Sequence, residues 1–244
     1  MTRKLKIIGL ALALGAVAIG ALAVTGAFAG EEAEGGGEGE LHAAGYPAIL
    51  DGTDIAAEPN AFTLFTYVIK CPDSSYTGEV LETKSFTIIP TYSKNCTETV
   101  SGRTATVKTN GCGYKLTLRK TTIQDKIWVD NYFFTTDIIC GGNDIEIIIY
   151  EANNNENAEF CKITIKEQGL KDRGKLQNVL EPGTTNTNGE LKLENKVEGI
   201  VADKSGKCLP KQTTTGQLHI GITIKGTTKV GGPNFLQVTD GEPV

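Results

Sequence analysis

The sequence predicts an all-β protein, a disulfide-stapled β-sandwich that follows an N-terminal signal segment and an acidic linker. From Ala61 onward, short stretches rich in Thr, Ile, Val, Tyr and Phe alternate with clusters of Gly, Asn and Pro. This pattern is typical of antiparallel sandwiches and barrels. The chain also carries six cysteines, an even number. No long amphipathic helix is indicated after the signal segment.

Residues 1–29 have the composition of a secretory signal peptide. Residues 7–24 contain no charged side chain, and small residues follow at Ala27 and Ala29. We therefore expect cleavage before Gly30. The alternative is an uncleaved anchor, because the apolar run approaches the ~20 residues that a membrane-spanning helix needs. The run is preceded by three positive charges: Arg3, Lys4 and Lys6.

Residues 30–45 are predicted to be a flexible acidic linker. The stretch is rich in glycine and has few apolar side chains to bury, so it cannot offset its ordering entropy. Its glutamates are Glu31, Glu32, Glu34, Glu38 and Glu40. We expect the folded body to span residues 46–244. It forms either one β domain or two smaller ones divided near residues 171–174, where Lys, Asp, Arg and Gly interrupt the pattern.

The strands of this body are predicted from β-branched and aromatic enrichment between turn residues. Alternation is clearest at 112–119 and 160–166, where it places Cys112 and Cys161 on the apolar face. Asn110 and Gly111 predict a tight hairpin turn, because both residues adopt positive φ readily. The predicted strands are 62–69, 76–81, 85–89, 104–108, 112–119, 126–129, 132–139, 144–150, 160–166, 176–181, 190–194, 197–202 and 216–225.

The six cysteines predict three disulfides, since the leader directs the chain to an oxidising compartment. Short loops favour pairing of sequence neighbours. The expected pairs are Cys96 with Cys112, Cys140 with Cys161, and Cys71 with Cys208. Zinc would need closely spaced cysteines with a matching histidine, and the sequence lacks that spacing. A fully paired set leaves no thiolate for catalysis, and we expect no metal and no cofactor.

The charge pattern and the catalytic motifs restrict the function classes. The formal charge is −5 and becomes more negative when the positive leader is removed. No basic stripe is present, so nucleic acid is not an expected partner. The serine-hydrolase elbow, the paired-histidine zinc helix and the phosphate-binding loop are also absent.

One aromatic segment is a candidate contact for a ligand. Trp128, Tyr132 and Phe133 lie close together in the sequence. If their rings lie on an exposed sheet face, they can stack on sugar rings. The alternative is core packing, because aromatic side chains usually bury their large apolar area.

Three short motifs resemble exported actinobacterial proteins of unknown function. The first is Pro-Thr-Tyr-x-x-x-Cys at 90–96, and the second is Thr-Asn-Gly-Cys-x-Tyr at 109–114. The third is Cys208 followed by Thr215 and Gly216. The resemblance implies a bacterial exported β domain and no particular activity.

Whether the protein is an enzyme stays open, with a non-enzymatic role favoured. The leading hypothesis is a secreted or cell-surface module that binds an extracellular glycan, an envelope polymer or a protein, or that has a structural role. Contact with a membrane is expected only through an uncleaved leader. One alternative is a secreted hydrolase that uses carboxylates such as Asp137, Asp144 or Glu146. Another is a protease inhibitor that displays a disulfide-braced loop.

Overall fold

The computed structural model shows an all-β fold, as the sequence predicts. No helix long and apolar enough to cross a membrane occurs in the described ranges. The predicted signal segment, the predicted linker up to residue 38 and the predicted strand 126–129 with Trp128 lie outside the described ranges. The structure describes residues 39–55, 60–119, 131–152, 158–180, 187–208 and 216–239.

Eighteen strands occur in these ranges. The first nine are β1 (Glu40–Ala43), β2 (Ala48–Asp54), β3 (Asn60–Leu64), β4 (Tyr67–Cys71), β5 (Ser75–Val80), β6 (Ser85–Thr91), β7 (Cys96–Glu98), β8 (Thr104–Lys108) and β9 (Gly113–Leu118). The others are β10 (Asn131–Ile139), β11 (Ile145–Tyr150), β12 (Glu159–Ile165), β13 (Gln168–Leu180), β14 (Thr187–Ile200), β15 (Ala202–Gly206), β16 (Gly216–Thr227), β17 (Pro233–Asn234) and β18 (Leu236–Thr239).

Eight of the strands close into an antiparallel barrel. Around this lower ring the order is β2, β5, β6, β9, β10, β13, β14 and β16. Pairing of β14 with β16, from Glu190 opposite Lys225 to Ile200 opposite Gly216, closes the ring. The predicted sandwich is therefore replaced by a barrel, because closure leaves the ring without an open edge.

The other long strands form an upper row that prolongs the barrel at one end. Its order is β16, β3, β4, β7, β8, β11, β12 and β15. Each neighbouring pair in this row continues a pair of the lower ring; for example, β8 pairs with β11 just as β9 pairs with β10. The chain thus runs up and down as long strands that are interrupted near the middle.

The Asn110–Gly111 turn is one of these interruptions and does not close a hairpin. Both residues have positive φ, 51° and 84°, as predicted. However, β8 pairs with β7 and β11, whereas β9 pairs with β6 and β10. The Asn110 side chain donates to the carbonyl of Asp144 (2.9 Å), and Asn143 donates to the carbonyl of Asn110 (3.0 Å).

Three other predicted boundaries also change. The predicted strand 62–69 is a hairpin of β3 and β4, with Phe65 at its turn in positive φ (58°). The linker prediction is wrong for β1, because Leu41 is fully buried and its N–H donates to the carbonyl of Thr83 (2.7 Å). The proposed division at 171–174 falls inside β13, which pairs with β10 there through Thr135 opposite Arg173.

All six cysteines form disulfides, but the predicted pairing is wrong in all three cases. The up-and-down topology places neighbouring long strands side by side, so each cysteine meets one on the adjacent strand. For example, β4 pairs with β7 so that Ile69 lies opposite Glu98 and Lys70 lies opposite Thr97. The next position along this register places Cys71 opposite Cys96. The disulfides are Cys71–Cys96, Cys112–Cys140 and Cys161–Cys208, with Cα–Cα distances of 4.2, 4.0 and 4.9 Å.

The interior of the barrel is filled by apolar and aromatic side chains that form one core cluster. Tyr76, Tyr92 and Tyr114 are buried together, and the hydroxyls of Tyr92 and Tyr114 share a hydrogen bond of 2.8 Å. The ring of Phe62 packs edge-on against that of Tyr92, with centroids 5.3 Å apart. Burial raises the pKa of both Tyr92 and Tyr114. A ligand therefore has to bind outside this core.

A carboxylate spans the interruption between β2 and β3. Asp54 accepts hydrogen bonds from the Asn60 side chain and, at 2.6 Å, from the N–H of Ser74. Burial raises the pKa of Asp54 above its ordinary value, although these hydrogen bonds oppose the shift. Asp54 thus links the break in one long strand to the break in its neighbour.

Non-reducing peptide mapping tests the disulfide pattern. Trypsin leaves Cys140 and Cys161 in one peptide, so the digestion combines trypsin with a glutamate-specific protease, which cuts between them at Glu146, Glu151 and Glu159. Mass spectrometry should then give three linked products, each holding one of the observed pairs, and reduction should remove all three. A linked product that joins Cys96 to Cys112, or Cys140 to Cys161, would contradict the strand order, because the structure joins each of these residues to a different partner.

The pKa of Asp54 predicts a pH effect on stability. Because folding raises this pKa, the folded protein holds the proton more tightly between the ordinary and the raised value. The stabilisation that protonated Asp54 contributes is complete below the ordinary pKa, and it is lost as pH rises through the raised pKa. Urea unfolding across this interval should show a falling free energy of unfolding. This slope should disappear in Asp54→Asn and persist in Asp51→Asn, an exposed neighbour on the same strand.

Candidate binding cleft on the outer wall

The structure separates the aromatic residues that the sequence proposed as ligand contacts. Trp128 lies outside the described ranges. Tyr132 is only 5% exposed and belongs to the core, whereas Phe133 lies on the opposite, outer face and is half-buried. Strand alternation forces this division. Core packing, the alternative interpretation, therefore holds for Tyr132.

The three carboxylates proposed for hydrolysis do not line the cleft described below. Asp137 lies on β10 opposite Gly169, and Glu146 forms an ion pair with Lys162 across β11 and β12. Asp144 immediately precedes β11, and its carbonyl accepts the hydrogen bond from Asn110.

Glu98 is the one buried acidic residue among those the structure describes. Burial acts to raise its pKa, but hydrogen bonds from Ser101 and from the N–H of Val100 lower it below the ordinary value. Both carboxylate oxygens accept backbone N–H groups, one from Val100 and one from Ser101, each at 2.8 Å. The side chain therefore serves to hold the turn between β7 and β8.

A cleft of about 280 Å³ opens on the outer wall of the barrel. It lies where β12 passes into β13 and where β14 passes into β15, so it belongs to the interruptions between the two rows. We call it the wall cleft. Its lining residues are Thr164, Lys166, Glu167, Gln168, Gly169, Gly199, Val201, Ala202 and Asp203.

A glycine creates the open space on one side of the wall cleft. Gly199 has a φ of 81°, a backbone conformation that residues with a side chain rarely adopt. A Cβ atom placed on Gly199 would point into open space. The pairing of β14 with β16 shifts register between Glu198 and Ile200, on either side of this glycine. Val201 then separates β14 from β15 and is 56% exposed.

Gln168 holds the two walls of the cleft together. Its side-chain amide donates to the carbonyls of Lys166 and Val201, both at 3.0 Å, and its oxygen accepts the N–H of Val201 at 2.8 Å. The Gln168 side chain therefore takes the place of a pair of backbone hydrogen bonds to Val201.

Glu167 joins the wall cleft to the neighbouring interruption. Its carboxylate accepts the N–H groups of Cys140 (2.8 Å) and Gly141 (3.3 Å). Cys140 is disulfide-bonded to Cys112, so this contact connects the cleft with a cross-linked part of the wall. The position of the cleft is thus fixed by covalent and hydrogen-bonded neighbours.

The wall cleft combines charged and apolar groups within a small volume. The Lys166 Nζ atom lies 3.2 Å from a carboxylate oxygen of Asp203, and both side chains are more than half exposed. Together with exposed Val201, they offer a cationic donor, an acceptor and an apolar surface. Lysine donates to hydroxyl groups, and carboxylates accept from them. The cleft therefore presents one hydrogen-bond donor, one acceptor and one apolar surface to solvent.

Sequence reasoning missed the wall cleft because its residues come from four strands and belong to no motif. The available signal was the irregularity of the chain at residues 171–174, which gave one possible domain boundary, while Gly199 lies inside the predicted strand 197–202. The pattern of one strand does not reveal that two interruptions lie side by side.

No protein-family model, curated protein or solved structure matches this chain. Among the described residues, no group of three or more His, Cys, Asp and Glu side chains is placed to hold a metal ion. The site is therefore interpreted from its own geometry.

Replacing Gln168 tests the construction of the wall cleft. Gln168→Ala removes the hydrogen bonds to Val201, so we expect the free energy of unfolding to fall by about 1 kcal/mol. We also expect hydrogen exchange at the Val201 amide to accelerate. Gln217→Ala is the matched control, because Gln217 bonds only the exposed side chain of Glu198 at 3.2 Å. Unchanged exchange in Gln168→Ala would contradict the assigned role.

Proposed function

We propose that this chain is an exported, non-enzymatic β-barrel module, secreted or held at the cell surface, that binds an extracellular glycan or envelope polymer at the wall cleft. The three disulfides indicate an oxidising, extracellular environment.

The observation that carries the proposal is the wall cleft itself. The core of the barrel is filled by side chains, so recognition belongs on the outside. The cleft is a concave site whose walls are held by Gln168 and Glu167, and its rim presents Lys166 and Asp203. At about 280 Å³ it is close to the lower limit for small-molecule sites, which favours one unit of a polymer over a large free ligand.

A binding screen with the mature protein, beginning at Gly30, tests this function. The probes are insoluble peptidoglycan and a panel of soluble polysaccharides. Removing both rim charges with Lys166→Ala and Asp203→Ala should weaken binding to any positive probe at least tenfold, because donor and acceptor are lost together. Val201→Ser should weaken it less, since only a small apolar surface is lost.

A second ion pair provides a closely matched control. Lys196 and Glu198 lie 3.1 Å apart on β14 and are also more than half exposed, but they do not line the cleft. The double variant Lys196→Ala and Glu198→Ala should bind like the wild type. Equal losses in both double variants, or no binding to any probe, would contradict the proposal.

A further inference from the structure

The three disulfides differ in how accessible their sulfur atoms are to solvent. Five of the six cysteines are buried, with at most 4% of their surface exposed, whereas Cys208 is only partly buried. Its partner in the disulfide, Cys161, is fully buried. Cys161–Cys208 is therefore the one disulfide of the three that can be reached from solvent, and it can be reached from the Cys208 side.

The Cys161–Cys208 disulfide closes the upper end of an edge strand. β15 is the last strand of the upper row, and among the described strands it pairs with β12 alone. This pairing extends along β15 from Ala202 to Gly206. The N–H of Lys207 continues it by donating to the carbonyl of Phe160 at 2.7 Å. The covalent bond follows directly after this last hydrogen bond.

The other end of β15 forms part of the wall cleft. Ala202 and Asp203, the first two residues of the strand, line the cleft together with Val201. The hydrogen bonds between Gln168 and Val201 hold the chain at this end. One wall of the cleft is thus attached by a side chain at its lower end and by the disulfide at its upper end.

Several side-chain contacts of β15 and of the residue after it lie at the surface. Exposed contacts of this kind contribute little to stability, because water and salt screen them. An edge strand that has one hydrogen-bonded neighbour also opens locally more readily than a strand with two. The disulfide is therefore the strongest attachment of the upper end of β15. The surface contacts are the ion pairs Lys166–Asp203 and Glu151–Lys207 and the Lys204 ammonium over the Phe65 ring.

Burial of Cys161 determines how the disulfide can react with a thiol. A thiolate attacks one sulfur of a disulfide and displaces the other through a mixed disulfide, so it must reach the sulfur that it attacks. Here the accessible sulfur is that of Cys208, and Cys161 leaves as a thiolate that takes up a proton. The second thiol of a dithiol then attacks the reductant's own sulfur and releases Cys208. The dithiol is oxidised to a disulfide, and its two electrons and two protons convert both cysteines to thiols.

We propose that Cys161–Cys208 is an exchange site for a dithiol reductant, and that its reduction frees the upper end of β15 and loosens one side of the wall cleft. The other two disulfides are buried at both sulfurs and stay oxidised under the same conditions. The exchange site is independent of polymer binding. Only its effect on a bound polymer rests on the proposed function.

Stepwise reduction under native conditions tests the exchange site. The mature protein beginning at Gly30 is incubated with dithiothreitol, and samples are trapped at intervals with excess N-ethylmaleimide in urea. Digestion with trypsin and a glutamate-specific protease then locates the modified cysteines. We expect Cys161 and Cys208 to be modified together, at least tenfold faster than the other four cysteines. Equal rates for all three disulfides, or earlier reduction of either buried disulfide, would overturn the proposal.

Hydrogen exchange tests the consequence for β15. In the double variant Cys161→Ala and Cys208→Ala, the Lys207 amide and the amides of β15 should exchange at least tenfold faster than in the oxidised wild type. Amides in the pairing of β14 with β16 should keep their rates, because the ring stays closed. The selectively reduced wild type provides the same measurement without a substitution. The matched control is Cys71→Ala with Cys96→Ala, which removes a disulfide outside β15 and should leave exchange in β15 unchanged.

Three exchange results would contradict the local effect. They are unchanged rates in β15 after reduction, an equal loss of protection in the pairing of β14 with β16, and the same acceleration in the Cys71 and Cys96 variant. Selective reduction should also weaken binding of any polysaccharide probe that the wall cleft holds. A protein that binds no polysaccharide would contradict the proposed function alone, because modification and hydrogen exchange report on the exchange site without a ligand.

Discussion

The pairing of β14 with β16 is the interaction on which the rest of the structure depends. It extends from Glu190 to Ile200 and joins the seventh and eighth long strands, while the second half of β16 also pairs with β2. Without this pairing the ring would have two open edges, and water would reach the apolar interior at each of them. Closure satisfies the backbone groups of both edges and allows a single core to form.

The interruptions of the long strands concentrate the polar contacts of the wall. Asp54 links one pair of interruptions, Asn110 and Asn143 link a second, and Gln168 with Glu167 holds a third. Two disulfides lie at or beside such points: Cys71–Cys96 and Cys112–Cys140. The wall cleft is therefore a product of the same irregularity that these bonds stabilise.

The sequence could predict local structure but not the long-range arrangement. Alternation correctly placed Cys112 and Cys161 facing the core, because one strand determines its own two faces. It could not separate a sandwich from a barrel, since closure depends on a contact between distant strands. Positive φ was predicted correctly for Asn110 and Gly111. The same dihedral angles, however, occur both in a hairpin turn and in a break within a long strand. Disulfide partners failed for the same reason, because they depend on which strands become neighbours.

The filled core determines where function can reside. A closed barrel with a continuous core offers its partners only its walls and ends. The wall cleft lies at mid-height, where two interruptions of long strands meet, and its walls are held by Gln168 and Glu167. A ligand at the cleft would therefore contact side chains from four strands whose positions the closed sheet fixes.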